Sequence, residues 1–254
     1  MSKKLVLVTG AARGIGLATT QKFLAEGWQV AMLDIDAETL NAAVADIGQS
    51  DDTLAVTCDV SAPDQVAASV AAIDAKFGRI DALVNNAAIA DFRPIADTDI
   101  ETWSRIMAVN LNGPFICTKA CTPLLLKRCG AVVNIVSISG LRASTLRVAY
   151  GTSKAALIHL TKQQAAELGN EGIRVNAVAP GPVDTEMAKK VHSAEIRVDY
   201  HDVIPLNRYG LEEEIAEAIF FLSSDMASYI NGQVLAVDGG FESTGIGLTS
   251  LRKG

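Results

Sequence analysis

Cysteine is sparse in this chain. Four among 254 residues, none in a C-x-x-C pair, exclude a disulfide scaffold. Cys117 and Cys121 stand one helical turn apart, yet the nearest histidine in sequence is His159 and no ligand set assembles, so buried thiols are expected and no metal. Basic charge is short as well: 22 Lys and Arg face 29 Asp and Glu, a net charge of −7. That sign, and the lack of any basic tract, argue against nucleic acid as a partner. No apolar run approaches the roughly 18 residues of a bilayer span, so no membrane partner is expected. The run after Met1-Ser2-Lys3-Lys4 covers only Leu5 to Val8, too short for the core of a signal peptide, which predicts a cytoplasmic location. No Ser/Gly/Pro linker and no fixed-period repeat divides the sequence. A single domain over residues 1–254 is the expectation.

What is present is ordinary globular usage, 49% hydrophobic and 20% charged, enough for one sizeable core. Short β-branched runs alternate with longer Ala-rich amphipathic segments, the rhythm of βαβ units on a parallel sheet. Leu5–Thr9, Gln29–Leu33, Leu54–Thr57, Ala82–Val84, Ala131–Val136, Arg174–Val178 and Gln233–Val237 are mostly continuous apolar runs, as strands covered on both faces are. Helices are read at Gly14–Glu26, Asp36–Ile47 with Asp36 as cap, Pro63–Phe77 with Ser61 as candidate cap, Asp99–Leu126, Ala149–Leu168 and Glu212–Leu222. Pro114 and Pro123 predict a break or kink inside the fourth. The expected class is α/β, a Rossmann-type doubly wound sheet of about seven parallel strands flanked by helices.

Two stretches break the rhythm. Asp184 to Tyr209, with Met187, Val191, Ile196 and Ile204 at roughly helical spacing, reads either as a substrate lid over residues 184–209 or as an amphipathic surface excursion. Ser243 to Gly254 reads as a fraying tail or as a segment packed on a neighbouring subunit.

The first strand runs into Thr9-Gly10-Ala11-Ala12-Arg13-Gly14-Ile15-Gly16, after which helical periodicity begins. Glycines there let a phosphate approach the main chain while the amides of the new helix point at it. The spacing G-x-x-x-G-x-G departs from the usual dinucleotide fingerprint, and by itself is compatible with a turn that binds nothing. Asp34 strengthens the nucleotide reading. It closes the second strand eighteen positions after Gly16, about where an acid grips an adenosine ribose. Its charge repels a 2′-phosphate and favours NAD over NADP; Arg13 pulls the other way.

Tyr150 and Lys154 stand at i and i+4 near the start of a helix, on one face. A phenol is a poor base near neutrality unless a neighbouring cation favours its anion, and Lys154 can supply one. A Y-x-x-x-K spacing alone is more often a surface tyrosine with a solvated lysine.

With those residues in hand, the whole chain resembles the short-chain dehydrogenase/reductase family. Thr9–Gly16 is similar to its glycine loop, Cys58-Asp59-Val60 to its adenine-binding turn and Asn85-Asn86-Ala87-Ala88 to its N-N-A-G element, with Ala88 in place of glycine. Asn110 stands in the V-N-x-x-G segment, and Ser137 in N-I-V-S thirteen positions before Tyr150. Arg174-Val175-Asn176 leads into Pro180-Gly181-Pro182-Val183-Asp184-Thr185, which is similar to the segment beside the nicotinamide, and Asp238-Gly239-Gly240 ends the seventh strand. The resemblance implies Tyr150 as acid/base, Ser137 polarising the substrate oxygen, Lys154 holding the nicotinamide ribose and lowering the tyrosine pKa, and Asn110 steadying a proton-relay water. It implies cofactor contacts at Gly10, Arg13, Gly14, Ile15, Gly16, Asp34, Ile35, Asp59, Val60, Asn86, Ala87, Ala88, Tyr150, Lys154, Pro180, Gly181, Val183 and Thr185. Hydride transfer belongs to the cofactor. Ser139 is the competing serine two residues along; Ser137 is assigned to catalysis and Ser139 is left as pocket lining.

Substrate residues are expected in the loops after the fourth, fifth and sixth strands, with Ser139, Arg147 and His192 as candidates. Arg93, Arg142 and Arg147 are candidates for converging on an anion, or are solvated loop charges. These loops lack a long aromatic or apolar stretch, which disfavours a steroid-sized substrate and favours a polyol, sugar or hydroxy acid. The expected activity is an NAD-dependent oxidation of a small alcohol or reduction of its ketone. The alternatives are an NADPH-dependent 3-oxoacyl-[acyl-carrier-protein] reductase and a non-catalytic dinucleotide-binding sensor or structural subunit. A homotetramer or homodimer is what the resemblance implies for assembly.

Overall fold

Leu5 and Leu7 face one side of the first strand, Val6 and Val8 the other, and all four are buried. In the computed structural model, which describes residues 3–48 and 50–244, that strand is β1 (Leu5–Thr9). It is followed by α1 (Gly14–Ala25), β2 (Gln29–Asp34), α2 (Ala37–Asp46), β3 (Thr53–Thr57), α3 (Pro63–Phe77) and β4 (Ala82–Asn85). The second half carries α4 (Ile100–Met107), α5 (Gly113–Leu126), β5 (Ala131–Ile135), α6 (Ile138–Leu141), α7 (Val148–Gly169) and β6 (Arg174–Pro180). It ends with α8 (Glu186–Val191), α9 (Ala194–Val203), α10 (Glu212–Ser223) and β7 (Val234–Val237).

The seven strands form one sheet in the order β3-β2-β1-β4-β5-β6-β7, every pair parallel. Val6, Val8, Val30, Met32 and Val84 pack with Phe23 of α1 and Ile215 and Ile219 of α10 on one face. Leu5, Leu7, Leu33 and Leu83 pack with Val66 and Ile73 of α3 and Cys117, Cys121 and Leu124 of α5 on the other. Two covered faces explain the unbroken apolar runs, and the expected doubly wound α/β fold is what the chain adopts. The strand order reverses between β1 and β4, and in sheets of this kind the crevice outside the carboxyl ends of the strands at such a point is where ligands bind. Among the described residues no helix is long and apolar enough to cross a membrane.

Three local expectations are corrected. Ser61 does not cap α3: Ala62 stands at the cap without a side-chain bond, and the Ser61 amide and hydroxyl both donate to Asp59 Oδ1. The break in the Asp99–Leu126 region falls at Ala108–Asn112, a turn of π-helix ahead of Pro114. Pro123 rides inside the last turns of α5, where its missing N–H costs only one bond. Asp36 does cap α2, accepting from the Thr39 amide at 3.1 Å. The 184–209 stretch contains α8 and α9, capped by Thr185 and Ser193; Ile204 is buried, while Ile196 is exposed. Residues 245–254, most of the expected tail, lie outside the described residues.

Phe23 joins α1 to α10, meeting the Trp28 and Phe220 rings edge-on with centroids 5.1 Å away in each case. Phe23→Ala is expected to cost about 3–5 kcal/mol, read as a lower urea midpoint at an unchanged denaturant slope.

Candidate active site

The turn from β1 into α1 is shaped by what cannot fit there. Gly10 and Gly14 have φ of +63° and +60°, and a Cβ on Gly16 would lie 2.0 Å from the Gly10 carbonyl oxygen. No side chain caps α1 at Arg13 and no acid sits in its first turn, so the amides around Gly14, Ile15 and Gly16 face the crevice as an anion-ready helix end. The loop is braced from β4. Asn86 Nδ2 donates to the carbonyls of Thr9 and Gly10, both at 3.0 Å, and Thr9 Oγ1 accepts from the Asn86 and Ala87 amides. Asn86, expected along the cofactor, spends its side-chain donors on the loop itself. Ala88, with its extra methyl, is accommodated half-buried just beyond it.

At the end of β2, Asp34 is buried. Its Oδ2 accepts from the Ala12 amide and its Oδ1 from the Asp36 amide, both at 3.0 Å, leaving one lone pair on each oxygen for a ligand hydroxyl. Arg13, which was to oppose it, pairs with the Asp36 carboxylate at 3.7 Å, so its charge is partly spent. Ile35 is exposed and Val60 is buried; a Cβ on Gly113 would meet Val60 Cγ2 at 2.9 Å. Asp59 is held by Ser61 and by Gln65, whose Oε1 accepts from its amide at 2.9 Å.

Across the switch point, Ser137 follows β5 in extended backbone and caps α6, accepting from the Ser139 amide at 3.1 Å. The strand has already ended, and Ser139 lies buried in α6. Gly140 brings α6 onto α7, for a Cβ there would sit 2.7 Å from the Lys154 carbonyl carbon. Tyr150 is half-buried, with its phenol within reach of the Ser137 hydroxyl. Lys154 is fully enclosed, its Nζ donating to the Ile135 carbonyl at 2.7 Å and lying 5.8 Å from the Tyr150 ring centroid.

Burial opposes charge on both groups. It pushes the Tyr150 phenol up, against the pull of the Ser137 hydrogen bond and the Arg147 charge, and lowers Lys154 from 10.5 to about 7. In the cofactor-free protein desolvation outweighs the favourable influences on the phenol, and the charge acting on it is that of Arg147. Asn110, in the π turn, donates through Nδ2 to the Ile89 carbonyl (2.9 Å) and to Ser153 Oγ (3.1 Å), and accepts from the Ile89 amide. Ser153 in turn donates to the Tyr150 carbonyl. The Asn110 amide therefore clamps the loop after β4 to α7, leaving one acceptor lone pair for the expected water.

On the substrate side, Pro180 ends β6 and Gly181 passes so close to Asp238 that a Cβ would lie 2.6 Å from its own. Val183 pairs with Gly210 as an isolated parallel bridge, and Thr185 Oγ1 accepts from the Ala188 amide at 3.1 Å. His192 Nδ1 and Tyr209 Oη share a hydrogen bond at 2.9 Å. Tyr200 meets His192, Tyr209 and Phe241 at centroid distances of 5.3, 5.8 and 5.9 Å. Burial, then Arg147 and Arg197, holds the His192 imidazole below its usual pKa. This aromatic wall is the feature sequence reasoning missed; its rings come from segments far apart, and no local signal marks them. Of the three arginines expected to converge, Arg93 is held by Asp91 at 2.6 Å and Arg142 donates to the Phe241 carbonyl at 2.8 Å. Among the described residues no group of three His, Cys, Asp or Glu side chains is placed to hold a metal.

Lys154 yields a test in the cofactor-free protein. Between pH about 7 and about 10 the unfolded chain holds a proton on this lysine that the native state has lost, so its contribution makes stability rise with pH across that window. Lys154→Met is expected to remove that rise and to melt at or above the wild type near pH 7, measured as Tm against pH for the two proteins.

Comparison with known proteins agrees with this geometry. A family model described as enoyl-(acyl carrier protein) reductase matches residues 10–242. A 3-oxoacyl-[acyl-carrier-protein] reductase of Thermotoga maritima is 41% identical over 93% of this chain and 97% of its own. The 2-(R)-hydroxypropyl-CoM dehydrogenase of Xanthobacter autotrophicus is 39% identical over 94% and 98%. A solved Brucella melitensis structure, described as a short-chain glucose/ribitol dehydrogenase, aligns with a TM-score of 0.92 at 32% identity, covering 96% of this chain and 98% of that one. The chain belongs to the short-chain dehydrogenase/reductase family, oxidoreductases that work with NAD(P).

Proposed function

We propose that this protein is an NAD-dependent dehydrogenase that moves hydride between nicotinamide and the secondary alcohol or ketone of a small polar substrate: a polyol, sugar or hydroxy acid. The observation that carries the reading is the gathering of Ser137, Tyr150 and Lys154 beyond the end of β5, across the crevice from an uncapped glycine turn and Asp34. The cradle around Gly10, Gly14, Ile15 and Gly16, where a Cβ would collide, fits a pyrophosphate; Asp34 has acceptors left for ribose hydroxyls. Asp59 and Val60 would hold the adenine, and Pro180, Gly181, Val183 and Thr185 the carboxamide. NAD is favoured because Asp34 puts negative charge where a 2′-phosphate would go, while Arg13 is engaged by Asp36.

When bound, oxidised nicotinamide supplies the hydride acceptor and a positive charge that favours an ionised phenol. Ser137 Oγ hydrogen-bonds the substrate oxygen. Tyr150 Oη takes the hydroxyl proton in oxidation and returns it in reduction. Lys154 Nζ spends one donor on the Ile135 carbonyl and has two left for the nicotinamide ribose. Arg147 and Ser137 lower the cost of the phenolate that burial raises. Asn110 keeps α7 in register with the loop after β4. The 184–209 stretch serves as substrate lid on a single domain, and the chain works as a homotetramer or homodimer in the cytoplasm.

The Thermotoga relative favours a second reading, an NADPH-dependent reductase of 3-oxoacyl thioesters. Initial rates separate the two: NAD with polyols, sugars and hydroxy acids is expected to exceed NADPH with acetoacetyl thioester, and the reverse order overturns the first reading. Tyr150→Phe is expected to lower kcat at least ~100-fold with NADH binding retained in calorimetry; unchanged turnover would mean that Tyr150 is not the acid/base. Asp34→Asn is expected to narrow the NAD to NADP ratio of kcat/KM by roughly tenfold or more.

A further inference from the structure

Five arginines stand on the loops and helices around the substrate side, and four are spoken for. Arg93 is held by Asp91 and Asp99, Arg197 by Asp184, and Arg208 by Glu214. Arg142 lies over the Phe241 ring at 4.1 Å and donates to its carbonyl. Arg147 has neither a carboxylate nor a carbonyl for its guanidinium among the described residues. Its guanidinium carbon lies 4.5 Å from the Phe92 ring centroid and 5.9 Å from that of Tyr150. Rings hold a guanidinium by its face and leave its N–H edge available, the edge that matches a carboxylate.

Among the described residues no carboxylate lies within ion-pair distance of Arg147. Arg147 is half-buried at the cap of α7, a helix with no acid in its first turn, so the positive helix end adds to its field. Its charge reaches Tyr150 and His192, and at His192 the only other charge acting is that of Arg197. A half-enclosed cation without an anion is costly, and a neutral polyol would leave it so.

We infer that Arg147 binds a carboxylate on the substrate, close to the carbon whose oxygen meets Tyr150 and Ser137, and that the substrate is a short hydroxy acid or its oxo acid. This rests on the dehydrogenase reading above and narrows it. Arg147 sets which alcohol is taken; Tyr150 and Ser137 act on the alcohol itself.

The test uses the NAD-loaded protein, in which an oxo acid binds without reacting. Acetoacetate and pyruvate, their methyl esters and acetonyl phosphate are titrated by calorimetry into wild type, Arg147→Gln and Arg147→Lys. In the wild type at least one acid is expected to bind about 10- to 100-fold more tightly than its ester. Arg147→Gln is expected to erase that ratio, and Arg147→Lys to keep part of it. Because the readout is a ratio, any general effect of the substitution on α7 or on Tyr150 cancels. Equal affinity for acid and ester, no measurable binding of either, a ratio that survives Arg147→Gln, or tighter binding of acetonyl phosphate than of both acids overturns the inference. NAD reduction by 3-hydroxybutyrate, lactate and neutral polyols is measured alongside. A carboxylate preference without turnover of any alcohol overturns the dehydrogenase reading and leaves the anion site standing; turnover of polyols with no carboxylate preference does the opposite.

Discussion

Lys154 reaches through fully enclosed space to the main-chain carbonyl of Ile135, the last residue of β5, and the arrangement of the site follows from that one bond. An ammonium in so dry a place needs an acceptor, and a backbone carbonyl at a strand end cannot move to oblige it. The lysine is therefore fixed to the sheet, and α7 with it. One turn back along α7 stands Tyr150; two residues past Ile135 on the other element stands Ser137. Helix and strand are thus pinned at a point between the two hydroxyls, which keeps Ser137 within reach of the Tyr150 phenol. The same pin makes both ionisable groups sensitive to whatever else enters. Burial holds the phenol up and the ammonium down, so any added positive charge on the cofactor side, or lost positive charge at Arg147, acts on a pair already displaced toward neutrality.

A second set of bonds does for the nucleotide side what Lys154 does for the chemistry. Thr9 and Asn86 sit at the carboxyl ends of β1 and β4, the two strands between which the sheet reverses direction. Through two hydrogen bonds between them, and a third from the Ala87 amide to Thr9 Oγ1, they hold the turn from β1 against the turn after β4. The crevice thereby has a floor made of side chain and backbone together. A glycine turn on its own is floppy; braced in this way, its positive-φ residues present amides in a fixed direction. Asp34 extends the brace to β2 by accepting from the Ala12 amide. The acid proposed to discriminate between cofactors is consequently also a brace of the glycine turn.

How much of this was legible in the sequence depends on whether a feature is local. The strands were readable to within a residue or two because a sheet covered on both faces imposes apolar side chains at every position, and β1, β2 and β5 are buried nearly throughout. Asp36 as a cap was readable because a cap acts within three residues. Ser61 had the same appearance, yet Asp59 two residues away claimed its donors, and a competition between two local motifs is not resolved by either motif. Pro123 looked like a helix breaker, but near the end of α5 the bond it forfeits is one the helix can lose. Asn110 was visible as part of an ordered pattern; that its amide would be consumed in clamping Ile89 and Ser153 was not, because the π turn that aims it has no sequence signature of its own.

The aromatic wall shows the limit most clearly. Only 5% of the chain is aromatic, and no loop carries a run of rings, which made the substrate side look merely polar. The fold brings Phe92, Tyr200, Tyr209 and Phe241 from four segments into contact with arginines and His192. Rings in that position change what the arginines mean. A guanidinium laid on a ring keeps its charge without a carboxylate, so the same residue that would be a solvated loop cation in a linear reading becomes a preorganised one. Net charge gave no warning, since the chain is acidic overall; Asp91, Asp184 and Glu214 are engaged by Arg93, Arg197 and Arg208. A patch of positive potential can therefore sit inside an acidic protein, and the carboxylate preference inferred for Arg147 rests on that local balance and not on the sum over the chain.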